Sequence, residues 1–300
     1  MNFTRHTRLD VVATSARERG LTWTGWIAIC FVSMIACAEA GTLLSDDFST
    51  LNTTVWNTST ANAPTVSGGS LVAAVGTTNV LSHSALVTQA TNFNPFTNPI
   101  TMTLSGLTLG GTPGSGRVGF YAMIGNMNTS NPDSFYVNGY LSSNNPYNPG
   151  TGLGGYLGIE VFKTSSTNYL KIYDYGNTNA VAAPTLSAIP TSIALTIDGA
   201  ANLLTISLTG ATFNSIPGNP TTYSYSLQYF NASVLGTSSS LAIGAVNSSY
   251  GTNEPTTGAT FGIDSILVTS VPEPTTALLL IVAAAPLLYG QRSLLRRTAV

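Results

Sequence analysis

Charge is what this chain has least of. Only 7% of its 300 residues are charged, against about 25% in an average soluble domain. Between Gly41 and Val271 the basic residues are Arg117, Lys163 and Lys171, set against Asp46, Asp47, Asp133, Glu160, Asp174, Asp198, Glu254 and Asp264. A body with five more acids than bases lacks the Lys/Arg density that neutralises phosphates, which excludes nucleic acid as a partner. Cysteine is nearly absent too. Cys30 and Cys37 are the only two, so beyond residue 40 there is no disulfide framework, no thiol chemistry and no zinc-thiolate site. The body has one histidine, His83, which beside serines reads as a surface residue rather than a base. No Gly-x-Gly-x-x-Gly precedes a helical pattern and no P-loop occurs, so nucleotides are not implicated. Apolar residues are not lacking: they make up 43%, with 13 Tyr and 11 Phe, enough to fill a core and to exclude disorder by composition.

The missing charge collects at the two ends. Arg5, Arg8, Arg17 and Arg19 precede the apolar stretch WIAICFVSMIACA from Trp26 to Ala38, followed by Ala38-Glu39-Ala40. Basic, apolar, then small-x-small is the order of a secretory signal, with signal peptidase cutting between Ala40 and Gly41. Two other readings stay open: an uncleaved anchor, given the long basic region, and a lipoprotein signal at Cys37. At the other end stands VPEPTTALLLIVAAAPLLYGQRSLLRR, Val271 to Arg297. Ala277 to Tyr289 is apolar apart from Pro286, Gly290 closes the run, and Arg292, Arg296 and Arg297 follow. The run is about 15 residues against the roughly 20 of a stable span. The arginines act as a basic stop that stays on the cytoplasmic side. This favours a removable tail, with an ordinary C-terminal anchor as the alternative.

The Pro-Glu-Pro triplet, apolar run and basic end, in that order, resemble the PEP-CTERM sorting signal of Gram-negative bacteria. The resemblance covers the last thirty residues or so. It implies recognition of Pro272, Glu273 and Pro274 by an exosortase, transient anchoring in the inner membrane, and delivery to the cell surface or an exopolysaccharide matrix. Two prolines keep the triplet extended and outside the helix, where a protease can reach it.

From Gly41 to Thr269 the recurring pattern has period two. Ile100, Met102 and Leu104 alternate with Thr and Ser, as do Leu157, Ile159 and Val161, then Leu170 and Ile172. SIALTIDGAANLLTISL reads as a hairpin: Ile193, Leu195 and Ile197, an Asp198-Gly199 turn, then Leu204, Ile206 and Leu208. Tyr223, Tyr225, Leu227 and Tyr229 make a further strand. Roughly a dozen short strands indicate an all-β antiparallel sandwich or jelly roll. The expected organisation is a signal peptide over 1–40, the sandwich over 41–270 and the sorting signal over 271–300, with a helix in each terminal segment. DDFSTLNTTVWN, with Asp47, Phe48, Leu51 and Trp56, then Gly69-Ser70-Leu71-Val72, and at the end ATFGIDSILVTS, resemble the opening and closing strands of concanavalin-A-like lectin/glucanase domains. That resemblance implies that the last strand lies beside the first. Trp56 and Phe261 read as core.

Chemistry is sparse. Glycosidases of this fold class carry Glu-x-Asp-x-x-Glu on one strand, because acid and nucleophile must face the same bond about 5.5 Å apart. Glu160 and Glu254 have no acid two or three residues away, so that motif is absent and a non-enzymatic protein is expected. A divergent glycan hydrolase or lyase would have to draw its acids from separate strands, with Glu160 and Asp174 as the nearest candidates, and would need both in one cleft. Asp46-Asp47 lacks a calcium-loop context and reads as turn-bonding; no metal or cofactor is expected. The binding candidate is NMNTSNPDSFYVNGYLSSNNPYN, Asn126 to Asn148, where seven asparagines mix with Phe135, Tyr136, Tyr140 and Tyr147. Aromatic faces stack on sugar rings and amides bond hydroxyls, which suits exopolysaccharide; the plainer reading is turns and strand faces. A third expectation is a matrix protein that associates only with itself.

Overall fold

The computed structural model describes residues 41–60, 62–75, 82–89, 93–113, 116–125, 156–174, 184–235, 239–248 and 258–270. The expected terminal helices, with Ala38, Ala40, Pro272, Glu273, Pro274, Arg292, Arg296 and Arg297, lie outside these residues. So do Phe135, Tyr136, Tyr140 and Tyr147. Among the described residues no helix is long and apolar enough to cross a membrane.

Strict alternation of apolar with Ser/Thr builds the first sheet. It has six strands in the order Gly41–Asp46 (β1), Ser265–Ser270 (β17), Ile100–Ser105 (β6), Ser192–Asp198 (β12), Leu203–Thr209 (β13) and Thr222–Ser226 (β14). Register carries the pattern across strands: Ile193 pairs with Leu208 and Leu104, and Leu195 with Ile206 and Met102. The apolar rows therefore share one face, and a slip of one residue would turn them all to water. The other face is a lattice of hydroxyls, in which Thr101 and Thr196 lie 2.9 Å apart.

A second sheet has seven strands in the order Thr185–Leu186 (β11), Asn168–Asp174 (β10), Tyr156–Lys163 (β9), Arg117–Gly125 (β8), Ser240–Ser248 (β15), Ser82–Thr88 (β5) and Trp56–Thr58 (β2). A third has four: Thr65–Ser67 (β3), Ser70–Ala74 (β4), Thr260–Ile263 (β16) and Thr108–Gly110 (β7). Every pairing is antiparallel. One contiguous apolar cluster draws on all three sheets, including Leu195 and Ile206 from the first, Phe120, Ile159 and Ile172 from the second, and Leu71 and Phe261 from the third. Phe120 stacks on Phe261 with centroids 4.6 Å apart. The chain is thus an all-β antiparallel sandwich, held without disulfides by burial worth about 1.5–3 kcal/mol for each large side chain.

The ends of the fold follow the sequence expectation. β1 lies beside β17, with Gly41 opposite Ser270. ATFGIDSILVTS forms both β16 and β17, switching sheets at Asp264. That residue's N–H donates to Ser105 O at 2.9 Å, and its carboxylate accepts from Ser70 Oγ at 2.6 Å. Trp56 and Phe261 are fully buried core. Asp46 and Asp47 bond turns: Asp46 accepts from Phe48 N and from Trp56 Nε1, and Asp47 from Ser49 N.

Two local expectations differ. The hairpin connection is longer than an Asp-Gly turn, because Asp198 pairs with Leu203 and four residues span the gap. Asp198 accepts from Ala201 N, Asn202 takes the positive φ of 52°, and Phe96 packs against the bare Cα of Gly199. The strand expected through Tyr229 ends at Ser226. Beyond it the N–H groups of Gln228, Tyr229 and Phe230 donate to the carboxylate of Asp174 instead of to a sheet.

Candidate functional site

β8 and β9 break the alternation rule. RVGFYAMIG and YLGIEVFK are buried almost throughout, so both faces of the seven-stranded sheet are covered at its centre. The inner positions Val118, Phe120, Ala122, Leu157, Ile159 and Val161 join the main core. The outer positions form a second cluster around Tyr121, Met123 and Tyr173, floored by Ala85, Val87, Ala242 and Val246, with Tyr156 at its border.

Register aligns the outer side chains in rows. In one row Lys171 stands beside Glu160, Glu160 beside Tyr121, and Tyr121 beside Gly244. A Cβ at position 244 would meet the Tyr121 hydroxyl at 2.8 Å, so the glycine makes room for the phenol lying across β15. In the next row Tyr169 stands beside Phe162 and Phe162 beside Gly119. Phe162 and Tyr169 stack with centroids 5.1 Å apart, and the absent Cβ of Gly119 accommodates Phe162.

Glu160 is at the centre and fully buried. Its Oε2 accepts a hydrogen bond from Tyr173 Oη at 2.7 Å. Its Oε1 accepts no hydrogen bond among the described residues and lies 3.9 Å from Arg117 Nε. The Arg117 guanidinium sits over the Phe162 ring at 5.1 Å, and the Lys171 ammonium over the Tyr173 ring at 5.0 Å. Each such contact is worth about 0.5–2 kcal/mol. Burial lowers the pKa of Lys171, Glu160 draws it back up and Arg117 presses it down again. Burial, with the charge of Glu160, holds the Tyr173 phenol well above its ordinary range. Exposure is graded: Arg117, Tyr169 and Lys171 are half-buried at the border, whereas Glu160, Tyr121 and Tyr173 are closed in.

Asp174 follows Tyr173 directly and therefore points the other way. It is also fully buried, but every part of its carboxylate is used. Oδ1 accepts from Phe230 N at 2.6 Å; Oδ2 accepts from Gln228 N at 2.6 Å, Tyr229 N at 3.2 Å and Tyr225 Oη at 3.2 Å. Glu160 and Asp174 thus face opposite sides of one sheet and do not line one cleft, so the paired-acid arrangement that hydrolysis would need is not formed by these two. Glu254 lies outside the described residues, and His83 is described only through its backbone pairing with Val246. Among the described residues no group of three or more His, Cys, Asp or Glu is placed to hold a metal.

The expected aromatic candidates Phe135, Tyr136, Tyr140 and Tyr147 fall in the connection from β8 to β9, whose flanking residues Gly125 and Tyr156 are paired. Sequence reasoning did not single out Arg117, Tyr121, Phe162, Tyr169, Lys171 and Tyr173 as site residues. A signal for them was present in the Tyr and Met at alternate positions of YAMIG, where the six-stranded sheet has Thr and Ser.

No family model and no curated protein matches the sequence. Solved structures of similar arrangement include lectin II from Ulex europaeus, 10% identical, with 77% of this chain and 100% of the other covered and a TM-score of 0.49. A lectin from Bauhinia forficata in complex with GalNAc is 16% identical over 77% of this chain and 98% of its own, with a TM-score of 0.46. The catalytic domain of an endo-1,3-beta-glucanase (laminarinase) from Thermotoga petrophila is 13% identical over 77% and 98%, with a TM-score of 0.45. At these identities and scores, neither the sugar nor the reaction in those names carries over to this chain.

Proposed function

We propose that this is an exported, exosortase-sorted protein of the cell surface or extracellular matrix that binds polysaccharide through the outer face of its seven-stranded sheet, without cleaving it. One observation carries the binding reading. Stacked aromatic rings, Phe162 and Tyr169, adjoin a carboxylate and two cations on neighbouring strands. Sugar rings present apolar faces to aromatics and hydroxyls to charged groups, and such bonds are the stronger kind. The Asn- and Tyr-rich segment 126–155 leaves and re-enters this sheet between the strands that carry Tyr121 and Glu160, which puts both sets of candidates on one pair of strands. The non-enzymatic reading is supported by the opposite facing of Glu160 and Asp174.

Affinity electrophoresis of the full chain in a neutral detergent, through native gels cast with a panel of polysaccharides, tests this. Retardation without clearing of the polymer is the expected result. A cleared zone would replace the proposal with a hydrolase or lyase, and free migration in every gel would leave a structural or self-associating coat protein.

The sorting part rests on the terminal segments and on one feature of the body. Gly41, the first residue after the proposed signal, pairs with Ser270, just before Val271-Pro272, so cutting at both places leaves the pairing of β1 with β17 intact. In the native host, Glu273→Ala is expected to leave full-length protein in the membrane fraction; unchanged release would refute exosortase sorting.

A further inference from the structure

The charge distribution goes further than sugar binding and names the class of sugar; it rests on the polysaccharide reading above. Three basic residues serve the whole body from Gly41 to Val271, and two of them stand on the same sheet face around the same carboxylate. Lys163, the third, follows the inward row of β9 and donates to Leu109 O at 3.4 Å. Arg117 and Lys171 flank Glu160 from the strands on either side of β9, each with its charge over an aromatic ring.

One carboxylate balances one cation. Among the described residues the row leaves an excess positive charge, half-buried, in a body that is otherwise acidic. For the fold alone this is an unfavourable arrangement: Lys171 loses hydration, which disfavours its charged form, and the repulsion of Arg117 is added to that loss. An incoming anion offsets both penalties at once, because it finds two partly desolvated cations already fixed in place. Arg117 presents a fork of N–H groups suited to a planar carboxylate, and Lys171 a point charge beside it. Between them the Phe162–Tyr169 stack offers the flat surface on which a pyranose ring rests.

We infer that the ligand of this face is an acidic polysaccharide whose uronate carboxylates are bound by Arg117 and Lys171 while its rings pack on Phe162 and Tyr169. The overall charge of the chain, −2, repels polyanions. Attraction to one would therefore have to come from a local site and would weaken with added salt.

The test is retardation of the full chain, in neutral detergent, in gels containing polygalacturonate and in gels containing the same polymer with its carboxyl groups reduced to alcohols. Polygalacturonate is expected to retard the chain about tenfold more strongly, the scale of one charged hydrogen bond, and added salt should erase the difference. Lys171→Gln and Arg117→Gln should each remove about tenfold for polygalacturonate and leave the reduced polymer unaffected. Lys171→Arg should retain binding. Glu160→Gln, which keeps an acceptor for Tyr173 but deletes the competing anion, should tighten it. Equal retardation by the two polymers, or unchanged binding in both cation variants, overturns the charge inference and leaves sugar binding standing. Retardation by neutral polysaccharides but not by polygalacturonate overturns it as well. Free migration through every gel overturns the sugar-binding reading itself.

Discussion

Glu160 and Asp174 are two fully buried carboxylates on neighbouring strands, and their surroundings could hardly differ more. Asp174 faces inward and accepts three backbone N–H groups and a phenol. It pins the residues after β14 across the sandwich, and its demands are met from within the fold. Glu160 faces outward, takes one phenol, and keeps its other oxygen for a guanidinium 3.9 Å away. A satisfied buried acid is an anchor. A partly satisfied one between two half-buried cations is placed where a further polar group can be received, and this contrast separates the structural half of the sheet from the half assigned to ligand.

The largest effect expected from this contrast is at the anchor. Asp174→Ala strands three backbone donors and the Tyr225 hydroxyl, and should cost about 3–5 kcal/mol in urea unfolding. Glu160→Gln keeps its bond from Tyr173 and should cost less than about 2 kcal/mol. Equal losses would erase the distinction.

A smaller effect is expected in alkali. Each acid holds a tyrosine whose pKa burial raises first, with the adjacent carboxylate adding to it: Tyr173 on Glu160 and Tyr225 on Asp174. The folded chain keeps these protons above pH 10.0, where the unfolded chain releases them. The stability they contribute is therefore complete below 10.0 and declines as pH rises further. Lys171, with its lowered pKa, acts with the opposite sign and only up to 10.5, so Lys171→Gln is the background in which to measure it. Unfolding followed from about pH 9 to about pH 12 should show a decline in stability that Tyr173→Phe and Tyr225→Phe each reduce. An unchanged decline in both would remove these tyrosines from the account.

The smallest effect belongs to the hydroxyl lattice on the other side of the sandwich. Thr101 and Thr196 bond each other at 2.9 Å on a half-exposed surface, and converting both to Val should shift stability by no more than about 0.5 kcal/mol. A larger loss in thermal unfolding would show that this face holds the fold together, contrary to expectation.

These differences also explain what could be read in the sequence. The six-stranded sheet was legible because one face meets core and the other water, so Ile193, Leu195 and Ile197 alternate with Ser, Ala and Thr and announce their strand. The seven-stranded sheet was harder, since RVGFYAMIG is covered on both faces and carries no period. Arg117 and Lys171 were visible as two of three basic residues, but they are 54 positions apart in sequence. Only the register of β8, β9 and β10 sets them on either side of Glu160. The opposite facing of Glu160 and Asp174 likewise depends on strand parity, which spacing across a connection does not reveal. The end of β14 was missed for the same reason: the carboxylate that draws Gln228, Tyr229 and Phe230 away from the sheet is more than fifty residues upstream.

The central claim is that ligand binds the outer face of the seven-stranded sheet and not the hydroxyl face. The most direct measurement compares two double variants, Phe162→Ala with Tyr169→Ala and Thr101→Val with Thr196→Val, in gels containing whichever polysaccharide retards the wild-type chain, after thermal unfolding has shown both to be folded. The account predicts that the aromatic variant migrates freely while the threonine variant is retarded like wild type. Undiminished retardation of the aromatic variant, or its loss in the threonine variant alone, would contradict it.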